Sequence, residues 1–138
     1  MASDYRVRLV VGSLTRFVER SVKGIALNAT ANLNIRNPVD TGWSRANYIP
    51  RIGKPVDSAA GSKLDVGAAV RAMAVGIAQV VTGYKLSAGP VFITNHVPYV
   101  PDLNRGSSRQ APAGFIEEEL IRAVEQTIQD MRGEGVIT

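Results

Sequence analysis

The chain has 138 residues, the size of one ordinary domain, and its 45% hydrophobic and 20% charged residues are typical of a globular protein rather than a disordered one. It contains no cysteine, which excludes disulfides, zinc–thiolate sites and cysteine nucleophiles. The net charge of +4 is uneven, because residues 1–54 hold nine Lys/Arg and three Asp/Glu while residues 101–138 hold four and seven. This polarity suits a basic surface facing nucleic acid, head-to-tail association of identical subunits, or a solvated surface without a partner.

Hydropathy along the sequence predicts neither a membrane span nor a leader. Apolar residues are dense over 68–81, but Arg71, Gly76 and Gln79 interrupt them before they reach the roughly 18–20 residues of a span. The first residues, MASDYRVRLVV, lack the apolar core and cleavage pattern of a signal peptide. We therefore expect synthesis in the cytoplasm and no membrane partner.

The first third of the chain predicts one long helix. Residues 5–11 alternate in polarity, so residues 1–12 are an arm, an extra strand or the first turns of that helix, and Ser13 is a candidate N-cap. Apolar residues then recur at helical spacing: Leu14, Val18, Val22, Ile25, Ala29 and Leu33. Because Pro38 disfavours helical geometry at the residue before it, the helix should end near Arg36 or Asn37.

The remainder predicts two short strands and two helices joined by long loops. Residues 37–42 form a turn, residues 44–52 an extended segment that Pro50 ends, and residues 53–62 a loop. Residues 62–81 predict an Ala-rich helix whose small side another element can approach closely, and whose bulky side is Val66, Val70, Met73, Ile77 and Val81. Residues 91–97 predict a strand and residues 100–113 a second long loop. The last helix has one apolar face: Ile116, Leu120, Val124 (or Ala123), Ile128 and Met131.

Together these elements predict a single α+β domain over residues 1–138. A small, mainly antiparallel sheet is packed by an N-terminal long helix, a middle Ala-rich helix and a C-terminal helix. The acidic run at 117–119 favours the positive end of the last helix and is interpreted as a solvated face.

Residue types that support catalysis do not form a recognisable set. His96 is the single histidine, and Ser44, Ser107 and Ser108 lie in loops without a nucleophile elbow or an SxxK pattern. Phosphate-binding glycine motifs and metal-ligand spacings are also absent from the sequence. We expect no catalytic residue, no cofactor and no metal, hence no enzyme; a hydrolase that uses Ser44 or His96 is the enzymatic alternative.

Nucleic acid is a second possible partner class. The basic residues of the first half are spread over several predicted elements: Arg6, Arg8, Arg16, Arg20, Lys23, Arg36, Arg45, Arg51 and Lys54. Aromatic residues make up only 6%, and no known DNA- or RNA-binding motif is present. A small basic domain that binds nucleic acid without sequence specificity is therefore kept as an alternative.

Two segments carry a resemblance to a known family. NPVDTGWSRANYIP (37–50) contains a Pro-Val-Asp-Thr-Gly turn followed by an arginine, with Val39, Asp40, Thr41, Gly42 and Arg45 as the matching residues. ITNHVPYVPDLNRGSSRQAPAGF (93–115) matches a second signature at Asn95, Pro98, Tyr99, Gly106, Ser108, Gln110, Ala111, Pro112 and Gly114. In this order, around an Ala-rich helix, they resemble the tail-completion or neck (head–tail joining) minor tail components of long-tailed bacteriophages, from about Leu14 to Met131.

The resemblance implies a virion structural protein of the neck, assembled in the host cytoplasm and without enzymatic activity. Members form homo-oligomeric rings, commonly hexamers, that link the portal or connector to the tail while DNA passes through the lumen. The implied partners are other copies of the chain, head-closure or adaptor proteins, tail terminator or tail tube proteins, and genomic DNA through non-specific contacts. A tail terminator or a head-closure adaptor is the alternative within this class.

The two segments supply the predicted assembly residues. Subunit or partner contacts are expected from Trp43, Arg45, Tyr99, Leu103, Arg105, Ser107, Ser108, Arg109 and Gln110. Structural turn residues are Pro38, Asp40, Thr41, Gly42, Asn95, Pro98, Gly106, Pro112 and Gly114. Trp43 either packs under its turn or anchors a neighbouring chain. The chain departs from the family at Asn104 and Arg105, where an acid often precedes the glycine, and at Ser107, where an aromatic residue or threonine is preferred.

Overall fold

Over residues 2–136 the structure contains four α-helices and one two-stranded antiparallel sheet. It is a computed structural model that describes residues 2–136. In chain order the elements are α1 (Ala2–Arg36), β1 (Ile49–Ile52), α2 (Val66–Gly83), β2 (Val91–Thr94), α3 (Val100–Asn104) and α4 (Phe115–Gly133). Single 3₁₀ turns occupy Arg45–Asn47 and Leu86–Ala88. The predicted α+β fold, with long helices against a small antiparallel sheet, is confirmed.

Helix α1 begins at Ala2, so of the three interpretations of residues 1–12 the one as first turns of the helix is correct over residues 2–12, and an extra strand is wrong there. Met1 lies outside the described residues. Ser13 lies inside the helix and is not its N-cap. The alternation at 5–11 misled because Val7 and Val11 also stand at helical spacing from Leu14, and they extend the same stripe toward the N-terminus.

Helix α4 lies antiparallel along the C-terminal half of α1. Gly24 permits this close packing, since a Cβ there would lie 2.7 Å from Cγ2 of Thr127. Asn28 donates a hydrogen bond to the Thr127 hydroxyl (3.0 Å), and Asn32 donates one to Gln126 (2.9 Å). Polar side chains thus fix the register of the two helices, in addition to apolar burial.

The first turns of α1 extend beyond this contact. Just past the end of α4, Glu134 pairs with Arg20, so residues 2–19 of α1, which we call the α1 overhang, continue past the end of α4. The predicted core face of α1 is therefore correct only in part. Ala29 and Leu33 are buried, whereas Leu14 and Val18 are exposed because α4 does not reach them.

Helix α2 buries Ala69, Gly76 and Val80, so the prediction that another element can approach its small side closely is confirmed at Gly76. Of the predicted bulky side, Val70 and Val81 are 47% and 46% exposed and the other members are half-buried. A Cβ at Gly76 would overlap the carbonyl oxygen of Pro50 in β1, which explains why the glycine side faces inward. Within the described residues α2 is also the one helix long and apolar enough to cross a membrane, by length and composition alone.

The sheet pairs Ile49 with Thr94 and Ile52 with Val91. One further bond, from the Gly53 N–H to the Pro90 carbonyl (2.7 Å), continues this register. On the opposite edge of β1, Pro50 has no N–H and the Ile52 N–H bonds the Gln79 side chain of α2 (3.3 Å). The outer edge of β1 therefore offers no free backbone donor within β1.

One carboxylate of the acidic run at 117–119 is buried. Glu119 is 1% exposed, and its oxygens lie 3.3 Å from Nε of Arg36 and 3.5 Å from Nε of Arg122. Glu117 and Glu118 are exposed, so the solvated-face interpretation holds for these two and is wrong for Glu119. The buried carboxylate joins the start of α4 to the end of α1.

We expect Gly76→Ala to destabilise the protein by about 1–3 kcal/mol, because overpacking against the Pro50 backbone outweighs the higher helix propensity of alanine. Urea unfolding measures the change. Gly83→Ala in the same helix is the matched control, since its Cβ would meet nothing within 4 Å. Equal stability of the two variants would contradict the proposed tight contact.

Candidate assembly surface

The two signature segments lie against each other. The Gln110 side chain accepts a hydrogen bond from the Val39 N–H (2.9 Å) and donates one to the Val39 carbonyl (3.0 Å), as a neighbouring strand would. They share a shallow cavity of about 120 Å³ whose lining comes from both segments: Pro38, Val39, Asp40, Ser44, Tyr99, Leu103, Ser108 and Gln110. Segments 71 residues apart in sequence thus form one continuous surface.

The turn after α1 is held by the buried amide of Asn37. Its Nδ2 donates to the Pro38 carbonyl (2.8 Å) and to the Ser44 hydroxyl (2.7 Å), while its Oδ1 accepts from the Tyr48 hydroxyl (2.8 Å). Burial raises the pKa of Tyr48, which keeps its hydroxyl a donor. Gly42, at φ 88°, provides the left-handed conformation that closes the turn.

Asparagines also attach the segments on either side of this turn. Buried Asn47 exchanges bonds with Ala60: the Ala60 N–H donates to Oδ1 (2.8 Å) and Nδ2 donates to the Ala60 carbonyl (3.1 Å). This attaches the 53–62 loop. Asn95 donates to the Ser44 carbonyl (2.8 Å), which joins the end of β2 to the turn. Asn95 is therefore a structural residue of the surface, as its place in the second signature suggested.

Trp43 packs within its own chain. Its indole N–H donates to the Ala60 carbonyl (2.8 Å), and its ring stands edge-on to Tyr99, with centroids 6.2 Å apart. The Lys63 ammonium lies 5.3 Å from the centre of the Tyr99 ring, on its face. Both aromatic rings are half-buried, so the packing interpretation of Trp43 is correct for its position in this chain, and a contact with a neighbour stays a prediction.

The predicted 100–113 loop begins with a short helix, α3, so the prediction of irregular backbone is wrong for its first five residues. Pro101 is compatible with the first turn of a helix, and Asp102 in that turn favours the positive end of the helix dipole. Beyond α3, Gly106 adopts φ 96° and the backbone turns toward α4. Arg105 folds back onto Asp102, with Nη1 and Oδ1 2.7 Å apart, in an exposed pair.

Asn104 caps α4 from a distance. The residue at the start of α4, Gly114, has φ 78° and no side chain, and instead the Ile116 N–H donates to Oδ1 of Asn104 (3.0 Å). Nδ2 of Asn104 donates to both oxygens of Glu117 (3.0 and 2.9 Å), and this bond lowers the pKa of that carboxyl. Asn104, where the chain departs from the signature that it resembles, is therefore hydrogen-bonded to Glu117 of the same chain.

The predicted contact residues lie in one region of the structure, but their side chains differ in solvent exposure. Those that are exposed are Arg105, Ser107, Arg109 and Gln110, and those that are half-buried are Trp43, Arg45, Tyr99, Leu103 and Ser108. Sequence reasoning missed Asn37, Asn47 and Asn104, which fix the backbone beneath them. An asparagine beside a proline or a glycine-rich turn is the signal that points to such residues.

The two residues of the hydrolase alternative also have structural roles. Ser44 is buried and its hydroxyl accepts the Asn37 amide, while His96 is exposed and its Nε2 bonds the Val56 carbonyl (2.8 Å). Each therefore fixes a loop of the region around the turn.

We expect Asn104→Asp to destabilise the fold at neutral pH, because it places a second carboxylate against Glu117 while keeping the acceptor for the Ile116 N–H. Adding Glu117→Gln should restore stability, since the new amide can donate to the carboxylate introduced at position 104. In the unsubstituted chain Glu117 has a lowered pKa, so its contribution is present above the unfolded pKa and is lost as the pH falls through the folded one. Thermal unfolding against pH tests all three chains, and an Asn104→Asp variant as stable as the parent would refute the capping role.

We expect Tyr48→Phe to cost about 1–3 kcal/mol, because it leaves Oδ1 of buried Asn37 without a donor. Since the folded pKa of Tyr48 is raised, its contribution is complete below pH about 10, the ordinary pKa of tyrosine, and declines above it. The variant should therefore lose less stability than the parent between pH 9 and 11 (roughly the titration range of an ordinary tyrosine). Tyr5→Phe, at an exposed tyrosine, is the control and should change nothing.

Comparison of the chain with protein-family models, with curated proteins and with solved structures finds no match.

Proposed function

We propose that the protein is a ring-forming tail-completion or head–tail joining protein of a bacteriophage neck, which links the portal or connector to the tail with DNA passing through its lumen. The observation that supports this most is the pairing of Gln110 with both backbone groups of Val39. It joins the two segments that resemble the family into a single surface. Residues that match a family of virion structural proteins are expected to stabilise a surface of this kind.

The exposure of the 105–110 segment supports a role in contacts between proteins. Arg105, Ser107, Arg109 and Gln110 are exposed, yet the backbone at both ends of the segment is fixed by Asn104 and by the Gln110–Val39 bonds. A surface loop with anchored ends presents side chains to a partner at low entropic cost. This is the arrangement expected of an inter-subunit arm.

Part of the charge polarity is used inside the chain. Arg20 pairs with Glu134 and Arg36 with Glu119, so two basic residues of the first half bind acids of the last third. Other arginines are exposed and can meet a neighbouring subunit or DNA, among them Arg6, Arg8, Arg16, Arg105 and Arg109. A tail terminator or a head-closure adaptor fits the same features and is the alternative within the class.

A non-enzymatic alternative is a small basic domain that binds nucleic acid without sequence specificity. The exposed Arg6, Arg8 and Arg16 on one helix favour it over an enzyme. It predicts salt-dependent binding of duplex DNA by an isolated monomer. Binding by the ring alone, or none at low salt, would argue against this alternative.

We expect Arg105→Ala with Arg109→Ala to weaken assembly before it weakens folding, because both side chains are exposed and Arg105 makes only an exposed pair with Asp102. Light scattering measures the mass of the particle, and circular dichroism measures folding. Arg71→Ala, an exposed arginine on α2, is the control. Loss of folded, soluble double variant would contradict the assembly role, and a strictly monomeric parent that is absent from purified virions would refute the proposed function.

A further inference from the structure

The α1 overhang carries a largely exposed apolar strip, and within the described residues Val136, just past α4, shares a cavity with Leu14 and Phe17 at its C-terminal end. Its members recur at spacings of three and four and are mostly exposed: Val7, Val10, Val11, Leu14, Phe17 and Val18. Leu14 and Val7 are each 59% exposed. Farther along α1, Ala26, Ala29 and Leu33 are buried, Ala26 in a cluster with Val80 and Tyr84. The apolar character of α1 thus continues for about 17 Å beyond the part of the helix that packs on α4.

The outer face of α4 carries a second, shorter apolar strip of about 12 Å. Leu120, Val124 and Ile128 lie one above another at spacings of four, with Ile121 beside them, and their exposures range from 39% to 62%. The opposite face of α4 is buried against α1 in the same chain. Two complementary features, one projecting and one flat, therefore exist on every copy of the molecule.

Charge selects the pairing of these two strips. Arg6 and Arg8 flank Val7 on either side of the overhang strip, while the exposed Glu118 and Glu125 border the α4 strip next to Ile121, with Arg122 between them. Helix α4 is acidic as a whole, because it holds five Asp/Glu and two Arg. The outer face of α2 is also apolar, at Val70 and Val81, but Arg71 is the one charged residue of that helix. Opposite charges therefore favour α4 as the surface that receives the overhang.

We propose that the α1 overhang of one copy packs on the outer face of α4 of a second copy, with Arg6 and Arg8 facing Glu118 and Glu125. The contact uses different surfaces on its two sides, so it is head-to-tail and propagates to each next copy until a ring closes. Within one chain it cannot form, because the overhang extends past the end of α4 and the inner face of α4 is already covered by α1. This inference rests on the proposed ring and identifies its subunit interface.

The cysteine-free sequence permits a direct test by disulfide cross-linking. The full-length chain with Leu14→Cys and Val124→Cys, oxidised in solution, should give a ladder of covalent oligomers on a denaturing gel. Each single variant should give no ladder. Leu9→Cys with Val124→Cys is the matched control, because Leu9 is 52% exposed but lies on the other side of the same helix.

Light scattering on a second pair of variants separates this interface from the ring itself. Leu14→Glu should reduce an oligomeric parent to a monomer, Val124→Glu should do the same, and mixing the two should restore a one-to-one dimer, since each retains one intact side. Leu9→Glu should remain oligomeric. Because Leu14 and Val124 are both exposed, these variants should fold.

The remaining outcomes each decide a question. An oligomeric parent whose Leu14→Glu variant keeps the same mass would overturn this interface and leave the ring proposal standing. Covalent dimers from Leu14→Cys alone would show that two overhangs pair with each other. A ladder from Leu14→Cys with Val81→Cys, but none with Val124→Cys, would show that α2 is the receiving surface. Either result overturns the proposal. A parent that is monomeric at every concentration would refute the proposed ring as well.

Discussion

The buried amide of Asn37 is the constraint on which the candidate assembly surface depends. Its backbone N–H makes the last bond of α1, to Leu33 (3.0 Å), and its side chain bonds Pro38, Ser44 and Tyr48. One residue therefore sets where the helix ends, how wide the turn is and where the chain enters β1. A buried amide costs free energy unless its donors and acceptors are paired, so the turn is held in one geometry. Gln110 then hydrogen-bonds to both backbone groups of Val39, which this turn holds in place.

Helical periodicity predicted the main elements well, because three long amphipathic patterns and a proline after the first of them are strong local signals. The predicted faces were less accurate. On α1 the pattern runs through Leu14 and Val18, but burial depends on where α4 ends, which no local pattern encodes. On α2 the small side was predicted to admit another element, which the close approach of the Pro50 backbone to Gly76 confirms, but the local pattern did not say which element this is. Tertiary contact decided both cases.

Contact of the candidate surface with a partner stays a prediction, and the residues that support the surface were not predicted. Two segments that resemble family signatures do lie together, and the residues that bring them together are amides. Asn104 shows the limit of sequence reasoning. In the sequence it is only a position where the chain departs from the family signature, and its capping role becomes visible only when its distance to Glu117 is known. Side-chain amides offer both a donor and an acceptor, so they can substitute for backbone partners where the chain is irregular.

The closed outer edge of β1 has a consequence for how copies of this protein can meet. A strand edge with free backbone groups is a template for another strand, and such pairing is hardly selective because every backbone offers the same groups. Pro50 lacks the donor and Gln79 occupies the donor of Ile52, so this edge cannot recruit an extended segment through a full ladder. Recognition on this side is left to side chains, whose shapes and charges differ from protein to protein. Where many copies of a chain fold at once, that difference separates specific association from amyloid-like aggregation.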